Sequence, residues 1–189
     1  MTDEITAAFL AAPRARFLPE AVRPHAGDDL PLPLGHGQTN SQPSTVADML
    51  RLLDVAPGMK VLDVGAGSGW TTALLAELVG PTGRVIGVER VPELTRGAQA
   101  ALTAGNWPQA EVRQATPGRL GIPEEAPFDR ILVSAEAHRL PRALVDQLTE
   151  GGVMVIPVAG VMLRVVRRAG EPTVTKHGLY VFVPLIEGR

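Results

Sequence analysis

Cysteine is absent from all 189 residues. Disulfide frameworks, thiolate nucleophiles and thiolate metal sites are excluded together. Histidine is scarce: His25, His36, His138 and His177 are the four present, with no i, i+4 pair to start a metal site. Aromatic residues make up 4% of the chain. No stretch approaches the ~20 apolar residues of a membrane helix. The first residues carry Asp3, Glu4, Pro13, Arg14 and Arg16 where a signal peptide would be apolar. Positive charge is not in excess either. Lys+Arg number 18 against 20 Asp+Glu, a formal net charge of -2, which supplies no general field for nucleic acid. Arg164, Arg167 and Arg168 flank Val165 and Val166 as on a solvated strand edge, not a binding groove. These absences predict a soluble cytoplasmic protein with no metal and no nucleic-acid or membrane partner.

What is plentiful is glycine, 20, and proline, 17, together about one residue in five against an average near 12%. With 45% hydrophobic residues, that excess indicates tight connections around a sizeable core, not a disordered chain. One domain spanning 1–189 is expected, with a helix and a covering loop in 1–53 and a sheet core in 54–189. Ile5, Ala8, Phe9 and Ala12 recur at helical spacing until Pro13. Residues 25–42, HAGDDLPLPLGHGQTNSQ, read as an ordered loop or short strand. Helical periodicity returns from Ser44 to Leu53, with Pro43 suited to its first position. Strands are expected at Lys60–Val64, Arg84–Val88, Ala110–Arg113, Asp129–Ser134 and Val153–Val158, the last after a Gly151-Gly152 turn. Helices are expected from Trp70 to Leu78, Pro92 to Ala104 and Pro141 to Leu148. Val161–Val166, Thr173–Thr175 and Tyr180–Pro184 alternate like antiparallel edge strands. The alternation predicts an α/β fold: a doubly wound, Rossmann-like sheet, mostly parallel, with antiparallel C-terminal edge strands.

Gly65, Gly67 and Gly69 occupy the turn between the first of these strands and its helix. They let the backbone reverse sharply and approach a ligand closely. Glu89, 20 positions beyond Gly69 at the end of the next strand, is placed to accept two ribose hydroxyls. A dinucleotide fingerprint would put its third glycine where Trp70 stands, and Asp63 would repel a pyrophosphate. A cationic nucleoside without phosphate, S-adenosylmethionine, suits the set better, with Asp63 attracting its ammonium directly or through water. Trp70 itself reads as a core anchor of its helix.

Six segments then fall in order: LPLPLGHGQTNSQPSTVADML (Leu30–Leu50), VLDVGAGSGW (Val61–Trp70), GRVIGVER (Gly83–Arg90), GIPEEAPFDRILVSA (Gly121–Ala135), GGVMVIPV (Gly151–Val158) and FVPL (Phe182–Leu185). Together they resemble the protein-L-isoaspartate O-methyltransferase family over nearly the whole chain. The resemblance implies a seven-stranded doubly wound sheet with its last strands in swapped order. It implies methyl transfer from S-adenosylmethionine, leaving S-adenosylhomocysteine, to the free carboxylate of isoaspartyl residues in damaged proteins or peptides. Repair then proceeds through a succinimide. Ser41 corresponds to the family's active-site serine, orienting the carboxylate or closing the cofactor pocket, with Gln38, Thr39 and Asn40 beside it on the cofactor side.

This chain departs from the family in three places. Pro117 stands where the family has an adenine-binding aspartate, and Gln114, Thr116 or a carbonyl is left to compensate. Glu136 stands among usually small residues, either facing the acceptor site or pairing with Arg139 or Arg142. The family's N-terminal helix and C-terminal tail are longer than here. Two alternatives therefore stay open: a carboxyl methyltransferase with another acceptor, and a relative that binds the cofactor without turnover.

Overall fold

A computed structural model describes residues 3–186. Helix α1 (Asp3–Ala11) leads through two 3-10 turns to a small antiparallel hairpin, β1 (Leu32–Gly35) and β2 (Gln38–Asn40). Helix α2 (Pro43–Leu53) follows, then the alternating core: β3 (Lys60–Val64), α3 (Trp70–Val79), β4 (Arg84–Glu89), α4 (Pro92–Gly105) and β5 (Ala110–Gln114). The remainder is β6 (Phe128–Val133), α5 (Arg142–Val145), β7 (Leu148–Val158), β8 (Val161–Val166) and β9 (Thr173–Leu179).

The main sheet has seven strands in the order β5-β4-β3-β6-β7-β8-β9. Strands β5 to β7 run parallel; β8 and β9 add on antiparallel. The last three strands, β7, β8 and β9, succeed one another in chain order. The strand order reverses between β3 and β6. In doubly wound sheets this reversal opens a crevice at the carboxyl ends of the strands.

Each element follows from local chemistry. Helix α2 opens with Pro43, whose missing N–H would be unpaired there anyway, and closes at Asp54 in the left-handed region. Its Val46, Met49, Leu50 and Leu53 are buried. They join α1, α3, α4 and one sheet face in the larger core cluster. The opposite face, from Leu62, Ile86, Ile131 and Met154, is covered by irregular segments and α5.

Three expected elements differ. The helix from Pro141 to Leu148 is a single turn, Arg142–Val145. Gln147 turns inward instead of continuing it, donating to the Leu120 and Ala143 carbonyls and accepting from the Ile122 N–H at 2.8 Å. Gly151-Gly152 does not separate a helix from a strand but bulges within β7, where the pairing slips between Phe128 and Arg130. Tyr180–Pro184 is not an edge strand. It crosses the carboxyl ends, with the Glu136 N–H donating to the Val183 carbonyl and the Leu185 N–H to the Glu136 carbonyl.

Candidate functional site

A cavity opens at the carboxyl ends of β3, β4 and β6, where the order reverses. Its floor is the glycine turn. The Gly65 and Ala66 N–H groups both donate to the Val88 carbonyl, binding the turn to β4. Gly65 and Gly67 have φ of +78 and +55, a region in which side chains are strained. Gly69, also left-handed at +85, plays a different part. A Cβ there would sit 3.0 Å from the Ala98 Cβ, so it lets α3 pack closely on α4 and does not itself line the cavity. Trp70 is buried, as a core anchor should be, and donates its indole N–H to the Ala12 carbonyl.

Glu89 is 5% exposed, and its two oxygens accept from the Gly67 N–H at 2.9 Å and the Val91 N–H at 2.8 Å. These bonds fix the carboxylate on the cavity wall. A carboxylate has about four acceptor sites, so capacity remains for ligand hydroxyls.

Asp63 is withdrawn further than expected. Fully buried, it does not line the cavity; Thr71, which does, donates to its Oδ2 at 2.7 Å, as does Thr72. Its Oδ1 has no partner. Burial pushes its pKa up to about 6, against the two threonine hydrogen bonds and with a smaller contribution from Glu89. Asp63 therefore has no direct access to the cavity, and Thr71 is the lining residue bonded to it. Ser134 Oγ, on the cavity wall, is the other unpartnered buried side-chain oxygen among the described residues.

The hairpin supplies the opposite wall. Gln38, Thr39, Asn40 and Ser41 all line the cavity, and Thr116 closes its far side beside Pro117. Asn40 donates from Nδ2 to Ser68 Oγ at 3.1 Å, joining hairpin to glycine turn. The reversal at Gly35-His36-Gly37 has φ values of +84, +54 and +69 and leaves His36 exposed. The tail completes the enclosure through Val183, Pro184, Leu185 and Ile186. Glu136 is not among the lining residues, and Arg142 pairs with Glu171 instead of with it.

Two contributors escape a reading of the sequence. Arg14, 6% exposed, spreads its guanidinium over the base of the hairpin. Ser68 is the hairpin's anchor. The partners of both lie far along the chain, and no local pattern points to them.

The most distinctive combination is thus a glycine turn, a buried acidic residue at the next strand end and a GQT-x-SQP hairpin around one cavity. A family model for protein-L-isoaspartate(D-aspartate) O-methyltransferase matches residues 1–189. The chain belongs to this family. A protein-L-isoaspartate O-methyltransferase of Methanothrix thermoacetophila is 45% identical over 188 residues, covering 98% of this chain and 89% of the relative. One from Methanopyrus kandleri is 46% identical, with 98% and 84% covered. The crystal structure of a Plasmodium falciparum protein described as a putative protein-L-isoaspartate O-methyltransferase, in complex with S-adenosyl-L-homocysteine, superposes with a TM-score of 0.86 at 27% identity. That match covers 98% of this chain and 91% of the other.

Proposed function

We propose that this family member methylates the free carboxylate of isoaspartyl residues in proteins or peptides, using S-adenosylmethionine. The carrying observation is the cavity itself, where Gln38–Ser41 face the glycine turn and Glu89. The residues suit this cofactor. Asp63 and Glu89 are buried carboxylates bonded only to hydroxyl and backbone donors, so the floor favours a cationic ligand and disfavours a phosphate. Bound there, S-adenosylmethionine supplies a methyl group on a sulfonium, a good leaving group. Glu89 would hold its ribose, Thr71 with Asp63 behind it would face its amino-acid end, and Thr116 and Pro117 would border its base.

The residues on the acceptor side need only orient and shield. A carboxylate is already nucleophilic at neutral pH, and neither histidine nor lysine lines the cavity among the described residues. Ser41 is the proposed acceptor-orienting hydroxyl. Alignment of the two reactants and exclusion of water are then the main demands on the protein. Glu136 gave the reason to consider another acceptor, and its place off the cavity wall removes that reason.

The test is incubation with methyl-labelled S-adenosylmethionine and an isoaspartyl peptide. Base-labile methyl ester should form, and none with the normal aspartyl peptide. Equal labelling of both peptides, or of neither, overturns the reading. Calorimetric binding of S-adenosylhomocysteine without any transfer would instead favour a non-catalytic relative.

A further inference from the structure

We propose that Arg14 is the positioning residue that holds the Gln38–Ser41 wall against the glycine turn and so keeps the cofactor cavity formed. The proposal rests on the reading of this cavity as the methyl-transfer site. It begins with a weakness of the hairpin. Strands β1 and β2 share three paired positions, with an irregularity between Pro33 and Gly35. A two-stranded hairpin of that length is not stable by itself in water. Something else has to fix its shape.

One guanidinium reaches both stems of the hairpin. On the incoming side, Arg14 donates to the Asp28 carbonyl at 3.0 Å and the Leu30 carbonyl at 2.7 Å. On the outgoing side it donates to Asn40 Oδ1 at 2.7 Å, the Asn40 carbonyl at 3.1 Å and the Ser41 carbonyl at 3.0 Å. All five acceptors lie in the two segments that bound the hairpin. Asp29 makes a second link between the stems, accepting from the Ser44 N–H at the start of α2 and from Gln42 Nε2. Asp29 thus joins the stems beyond Ser41, and Arg14 is the group that holds Asn40 and the Ser41 carbonyl themselves.

The same group is coupled to the cofactor floor. Asn40, having accepted from Arg14 Nε, donates to Ser68 of the glycine turn. The guanidinium also lies 5.4 Å from the ring centroid of Trp70, the first residue of α3. Its planar fork is what the arrangement uses. A lysine is a single donor centre on a flexible stem and cannot serve both stems and Asn40 at once. The acceptors are mostly carbonyls, so the requirement is for directed donors and not merely for positive charge.

The experiment compares Arg14→Lys and Arg14→Gln with Val79→Ala, a buried change in α3 remote from the hairpin, at matched loss of melting temperature. Hydrogen exchange over residues 28–41 should be about tenfold faster in the Arg14 variants than in wild type, and unchanged in Val79→Ala. S-adenosylhomocysteine should bind about tenfold more weakly to Arg14→Lys, and the KM for an isoaspartyl peptide should rise while Val79→Ala keeps both constants. Unchanged exchange over 28–41, or equal acceleration in Val79→Ala, overturns the proposal. So does faster exchange with unaltered affinity and KM. If the Arg14 variants fail to fold, Asn40→Ala removes the Nε acceptor and the Ser68 link, and slow exchange there overturns it equally. Accelerated exchange in a protein whose wild type transfers no methyl group would sink the functional reading and leave the structural role of Arg14 standing.

Discussion

Around the amino ends of β3 and β4, charges are neutralised in a dense network that Arg113 joins from the carboxyl half of β5. Arg113 reaches Glu111 and Glu125 at 2.8 Å each, Arg84 reaches the same two at 3.1 and 3.5 Å, and Lys60 lies 3.7 Å from Glu125. The carboxyl ends of the same strands carry buried Asp63 and Glu89, held by hydroxyl and backbone donors instead of cations. Hydrogen bonds from Arg113 hold the Glu111 and Glu125 carboxyls below their usual range, whereas burial pushes Asp63 up. One end of the sheet has answered its own electrostatics; the other leaves two carboxylates without a cationic partner. The ion pairs and the proposed binding site are thus centred on opposite ends of β3 and β4, which is how an α/β sheet bears a polar site without losing its core.

The contrast is tested most strongly through Asp63. Its folded pKa of about 6 lies above the ordinary 3.8. Between those values the native state keeps a proton that the unfolded chain has released. The contribution of Asp63 is therefore full below about pH 4 and is lost as pH rises through about 6, by roughly 3 kcal/mol. Melting temperatures of wild type and Asp63→Asn should be compared from pH 4 to 7. The variant has no carboxyl to titrate at this position, so it should gain on wild type as pH rises and stand relatively highest at pH 7. Parallel curves would mean that the carboxyl titrates normally.

Glu89→Gln comes next. It keeps the shape but turns one of the two backbone acceptors into a donor, leaving the Gly67 or Val91 N–H unpaired at a cost of about 1–3 kcal/mol. Calorimetry should show S-adenosylhomocysteine binding roughly 10- to 100-fold weaker. An unchanged affinity would detach Glu89 from the ligand. Gly69→Ala should lower stability by about 1–2 kcal/mol, since it combines left-handed φ with the close Ala98 contact. Denaturant titration measures this, and affinity should fall less than in Glu89→Gln because Gly69 is off the cavity wall. The smallest effect belongs to the opposite end. Glu125→Gln breaks three ion pairs, yet should lower the melting temperature by only about 2–4 °C, less so in high salt, with no change in ligand affinity. A weakened affinity there would join the two ends and undo the comparison.

Much of the site was legible because its parts are close in the chain. The glycine turn, its flanking strand and helix, and Glu89 at the next strand end are all read from residues 60–89. The hairpin was less so: HAGDDLPLPLGHGQTNSQ carries turn residues but too few alternating positions to separate strand from loop. The short α5 was misread because apolar periodicity cannot reveal that Gln147 has better partners in Leu120, Ala143 and Ile122 than in solvent. The tail was misread for a similar reason. Tyr180–Pro184 alternates, but its backbone partner is the loop at Glu136, not a neighbouring edge.

By itself, the sequence determined the α/β class, the parallel core and the glycine turn, because periodicity and glycine placement act over a few residues. It also excluded thiol chemistry outright. Tertiary structure alone decided that Asp63 lies beneath the cavity while Glu89 lies on it, that Gly69 serves packing, and that Glu136 is off the cavity wall. It also brought Arg14 to carbonyls 14 to 27 positions away. The reason is physical: burial and hydrogen-bond partnership depend on which distant segments share a volume, and no local pattern records that.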